Sequence, residues 1–158
     1  MRRPLLGWGV VALLVILHFL LHVGLGLRSA APDLLTLALL LGARDLRVGS
    51  AAGLGFFLGL LEDALSVMVF GASALTLTLL GIVGAATREL FMGDSRLFVV
   101  SYFFAGKWLR DLLHWTMMGE ELRGPFVDQV LVQGFTGALY VAVIGVVAAA
   151  ITGMSSES

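Results

Sequence analysis

Long apolar runs separated by short polar turns dominate the chain. The first run covers residues 5–27, behind Arg2 and Arg3. Pro32 and Asp33 open a second, shorter run at residues 34–43. The third covers residues 49–70 after the turn Arg44-Asp45-Leu46-Arg47, and the fourth covers residues 72–90 after Gly71. The fifth covers residues 96–118, and the sixth residues 128–151 after a polar connection holding Glu120, Glu121 and Arg123. Each reads as a helix. The first exceeds the ~7–15 apolar residues of a cleaved signal and can span a bilayer, so it is expected to be retained. The second is short for a hydrocarbon core of ~30 Å. It is expected either to tilt through a locally thin bilayer or to pack as a half-span on its neighbours.

The third run is the one around which the others are expected to assemble. On a helix, Ala51, Gly55, Gly59 and Asp63 recur at four-residue steps and stack along one face. Gly55 and Gly59 form the small-residue pattern that lets two membrane helices bring their backbones together. Gly81 and Gly84 offer a similar surface on the fourth helix. The small face of the third helix leads into two carboxylates, Glu62 and Asp63. A charge at the centre of a membrane helix costs ~2.5–3.5 kcal/mol on insertion scales, so these groups should face protein or a wet cavity.

Composition agrees with that pattern. Of 158 residues, 59% are hydrophobic and 13% charged, where ordinary soluble domains carry about 25% charged residues. The mean hydropathy is +0.99. The chain therefore reads as an all-α integral membrane protein of about six transmembrane helices, forming one domain over residues 1–158. The net charge of −1 and the lack of a basic patch give no sign of nucleic-acid binding. With no cysteine, disulfides and thiolate chemistry are excluded. With both termini inside, the inner side would hold Arg2, Arg3, Arg44, Arg47, Arg88 and Arg96, and the outer side Arg28 and Arg123.

The fifth helix carries Lys107, Arg110, Asp111 and His114 along one stripe. Measured from the inner helix ends, Lys107 and Glu62 lie ~17–20 Å deep, so the fifth and third helices are expected to meet through these charges. Asp63 is expected to be the carboxylate whose loss matters most. Gln129, Gln133, Thr136 and Tyr140 could extend a polar lining along the sixth helix. Two readings stay open: an ion-pair network that fixes the helix arrangement, or a polar cavity open to the outer side that holds a solute, lipid or partner segment. His18 and His22, one turn apart, read as hydrogen-bonded imidazoles of the bundle, because no third metal ligand accompanies them. No nucleophile motif, metal constellation or phosphate-binding loop is present, so neither catalysis nor a cofactor is expected.

From Pro32-Asp33-Leu34-Leu35 onward the sequence resembles the rod shape-determining protein MreD family. The likeness continues through the turn at residues 44–47 and through Gly53-x-Gly55-Phe56-x-x-Gly59-Leu60-Leu61-x-Asp63-x-x-Ser66. It includes Phe70-Gly71-x-x-Ala74-Leu75, Gly81 to Gly84, Arg88-x-Leu90-Phe91 and Asp94, and so covers roughly residues 32–95. Pro32, Asp33, Gly59 and Asp63 are the family positions that carry over. Glu62 stands where the family is usually apolar, and the charged stripe on the fifth helix is denser than the family pattern. The resemblance implies a non-enzymatic subunit of the bacterial inner membrane that serves cell elongation. Its implied partners are an MreC-like protein and, indirectly, MreB, RodA and a class B penicillin-binding protein. The implied fold resembles the substrate-binding subunits of energy-coupling-factor transporters. A transporter subunit of that kind is the alternative reading; such subunits carry small residues at four-residue spacing on the first helix, and against it this helix offers Ala12 among leucines and valines.

Overall fold

The computed structural model describes residues 3–24, 32–65, 70–87 and 96–152. Arg2, Arg28, Arg88 and Ser66 lie outside the described residues. Six helices follow in order: α1 (Arg3–Phe19), α2 (Leu34–Asp45), α3 (Val48–Leu65), α4 (Ala72–Thr87), α5 (Arg96–Met117) and α6 (Gly134–Ile151). A π-helical turn, Leu20–Gly24, continues α1, and a second, Val127–Gln133, leads into α6.

The short helix α2 occupies the centre. It packs against α1, α3, α4, α5 and α6, and every residue from Leu34 to Ala43 is buried. This corrects the expectation that the third helix is the hub. A helix that is apolar all round has no face for water and becomes core. Its 12 residues reach only ~18 Å, but a helix sheathed by other helices need not match the ~30 Å of the lipid core. Of what was expected for this segment, the packing on its neighbours is observed. Its amino end is tied down twice. Asp33 accepts the Thr36 N–H at 3.1 Å and the Thr36 hydroxyl at 2.7 Å. The Leu35 N–H donates to His18 Nδ1 of α1 at 3.3 Å, so that histidine satisfies one of the donors left open in a first helical turn. His22 stacks on His18, with ring centroids 4.0 Å apart.

Helix α3 packs chiefly on α4 through the predicted stripe. Ala51, Gly55, Gly59 and Asp63 are all buried, while Phe56, Phe57, Leu60 and Leu61 on the other side are exposed. A Cβ on Gly55 would strike the Leu77 carbonyl, one on Gly59 the backbone of Ser73 and Ala74, and one on Gly81 the Ala51 carbonyl. Gly84 lies elsewhere: a Cβ there would sit 3.1 Å from the Tyr102 hydroxyl and 3.3 Å from Leu40. That hydroxyl stands 3.1 Å from the Leu40 carbonyl and 3.2 Å from the Gly84 carbonyl, joining α5 to α2 and α4.

Among the described residues, three helical stretches are long and apolar enough to cross a membrane: Leu5–Gly24, Val48–Leu65 and Val127–Ile151. Helix α4 is apolar but shorter, and the 22 residues of α5 carry the charges described next.

Candidate functional site

The charges gather at one end of the bundle, where α2 and α4 begin, α3 finishes and α5 approaches its last turns. Arg110 of α5 is the centre. Its Nη2 donates to both Glu62 oxygens, at 2.6 and 2.8 Å, and its Nη1 donates to Asp33 Oδ2. One guanidinium thus ties together the end of α3, the cap of α2 and α5. A planar fork of donors suits this task better than a single ammonium. Lys107, one turn earlier, pairs with Asp111 Oδ1 and stands 3.7 Å from Asp33 Oδ2. These side chains are largely buried, Lys107, Asp33 and Arg110 at 9–11% exposure.

The contact between α5 and the carboxylates of α3 therefore exists, with Glu62 as the acceptor and Arg110, not Lys107, as the donor. Asp63 takes no part in it. Successive helical residues point ~100° apart, so two adjacent acids can be turned toward different neighbours. Asp63 follows the glycine stripe toward α4 instead and accepts backbone N–H groups of Gly71, Ser73 and Ala74 at 3.0, 3.0 and 2.9 Å. It caps the amino end of the next helix, where open donors and the positive end of the helix dipole favour a carboxylate. Gly71, at φ +99°, supplies the left-handed turn that presents these donors.

A cavity of about 720 Å³ adjoins the cluster, between the start of α2, α5 and the beginning of α6. Pro32, Asp33, Lys107, Asp111 and His114 line it, and so do Gln129, Gln133, Thr136 and Tyr140. The charged stripe on α5 thus divides. Lys107, Asp111 and His114 border the cavity, while Arg110 turns to α2 and α3. The π-helical turn before α6 lies along the same wall. Such wide turns recur at functional sites because they redirect side chains without ending the helix.

Several supporting groups carry no motif. Trp108 Nε1 donates to the Val130 carbonyl at 3.0 Å, and Trp115 Nε1 to the Gly124 carbonyl at 3.1 Å. Arg123 lies 4.5 Å over the Trp115 ring and donates to the Met118 carbonyl at 2.8 Å, closing the end of α5. Gly106 and Gly145 admit Leu40 and Phe103 against α5 and α6. Of these, Gly145 alone stands at a helical spacing, about three turns after Gly134, that could have drawn attention to it; the others give no such signal. Arg110 Nε and His114 Nδ1 are buried without a hydrogen-bond partner among the described residues. No cluster of His, Cys, Asp or Glu suited to a metal occurs among the described residues.

The family model for the rod shape-determining protein MreD matches residues 2–113. The chain belongs to the MreD family. The match runs from α1 through Arg110 and Asp111, a longer stretch than the resemblance over residues 32–95, and stops just short of His114. It makes this a rod shape-determining membrane protein, in keeping with its apolar helices. Searches of curated proteins and of solved structures returned no match.

Proposed function

We propose that this chain is a non-enzymatic scaffold of the bacterial cell-elongation complex. It would span the inner membrane six times with both termini in the cytoplasm and bind an MreC-like protein. Through that partner it would support peptidoglycan synthesis by RodA and a class B penicillin-binding protein, in step with MreB. The observation that carries this reading is how its buried charge is used. Arg110, Glu62, Asp33 and Asp63 are engaged in joining helices and capping their ends, which suits a rigid platform. The strongly apolar exposed side of α3, with Phe56, Phe57 and Leu65 more than half exposed, offers surface for lipid or a partner's transmembrane helix. The reading includes a fold like that of the energy-coupling-factor substrate-binding subunits, a likeness that does not carry function with it.

The alternative, a solute-binding transporter subunit, draws on the cavity beside Lys107 and Asp111. Affinity purification from native membranes with mass spectrometry separates the two. Recovery of an MreC-like protein is the expected result. Recovery of a transporter ATPase and its membrane coupling subunit in its place would favour the alternative.

A further inference from the structure

The cavity wall keeps polar capacity that the protein does not use. Asp111 meets Lys107 through Oδ1, while its Oδ2, on the side of Gly134, accepts no hydrogen bond among the described residues. This carboxylate is also the most open of the charged groups there, 22% exposed against 9% for Lys107 and 10% for Asp33. The Gln133 amide and the Tyr140 hydroxyl line the same space, again without a side-chain partner among the described residues. A volume of about 720 Å³ is far more than a water needs and falls within the ~300–1,000 Å³ of small-molecule pockets.

Charge selects among ligands. Asp33, Glu62 and Asp111 face Lys107 and Arg110, which leaves one negative charge in excess. An anion entering the cavity would meet Asp33 and Asp111, and the Lys107 ammonium is already shared between them. A cation with N–H donors meets the opposite situation, since Asp111 Oδ2 can accept from it directly. The setting also favours a group delivered from the membrane. Gln133, Thr136 and Tyr140 follow one side of the π-helical turn and α6, and exposed Phe135 and Leu139 beside them provide an apolar track for an acyl chain.

We propose that the cavity binds a primary ammonium group, held by Asp111, with Gln133 and Tyr140 hydrogen-bonding the oxygens beside it. Both the ethanolamine headgroup of a lipid and a free amino-alcohol phosphate carry this chemistry. The inference does not depend on which protein partner the chain binds.

The test measures thermal unfolding of the full chain in detergent with added phosphatidylethanolamine, phosphatidylcholine, phosphatidylglycerol or soluble phosphoethanolamine. Choline has a similar charge but no N–H donor. Phosphatidylethanolamine should therefore stabilise at a concentration about tenfold lower than phosphatidylcholine, the size expected for one charge-assisted hydrogen bond. Stabilisation by soluble phosphoethanolamine as well assigns recognition to the headgroup alone, and stabilisation by the lipid alone assigns it to the lipid. Asp111→Asn should abolish the preference. Gln133→Leu, at an exposed position, should weaken it without lowering the unliganded melting temperature, and so keeps the test decisive if Asp111→Asn does not fold. Equal responses to the three lipids, preference for phosphatidylglycerol, or an unchanged preference in whichever variant folds would overturn the proposal.

Discussion

At the scale of single residues, neighbouring acids divide the labour of this bundle. Glu62 reaches across to Arg110, and Asp63 closes the amino end of α4 through three backbone donors. The level of this pair along α3 was legible in its distance from the helix ends, and its need for protein partners followed from the cost of charge in lipid. The difference in direction was also present, since ~100° separates consecutive helical residues. Depth alone cannot show it, and treating both acids as one feature concealed it. Asp63→Ala strands three N–H donors and is expected to cost on the order of 3 kcal/mol. Asp63→Asn keeps one acceptor oxygen and should cost clearly less. Unfolding of both variants in detergent checks this, and equal losses would show that the capping bonds are not what Asp63 contributes.

Between elements, the seam of α3 and α4 is the best-announced contact. Four-residue spacing of Ala51, Gly55, Gly59 and Asp63 names one face, and that face is the buried one. The central place of α2 was harder to read. Ten consecutive residues with Thr36 as their one polar member carry no periodic signal, so neither the face they bury nor the number of neighbours they meet can be derived from them. Likewise, Tyr102 joins three helices through its hydroxyl, and nothing in its sequence neighbours reports a contact to Leu40 or Gly84. Gly59→Leu is expected to push α3 off α4 and to reduce the yield of folded protein severalfold, since backbone atoms of Ser73 and Ala74 occupy the space its side chain needs. Phe56→Leu, at a position 52% exposed, should leave the yield close to wild type. Fluorescence size-exclusion profiles of the two variants compare them directly, and a normal profile for Gly59→Leu would contradict the close seam.

For the whole molecule, the charged cluster lies at the end of the bundle that the arginine bias assigns to the outer side. Six crossings would then put both termini in the cytoplasm. Reporter fusions after Ser158 and within the connection at Glu121 should give opposite signals, and matching signals would exclude that arrangement. The central claim is that buried charge fixes the helix arrangement on which the shape-determining role depends. Arg110 tests it most directly, because removing it strands Glu62 and deprives Asp33 of its nearer cation. Breaking one side of such a buried pair typically costs ~3–5 kcal/mol. The measurement is rod-shape complementation by Arg110→Met, Glu62→Gln and the double variant, with membrane levels and thermal stability recorded for each. Arg110→Met is expected to lose both stability and cell shape, and adding Glu62→Gln to restore much of both. Full complementation by a stable Arg110→Met, or a double variant that regains stability while the cells stay misshapen, would contradict the central claim.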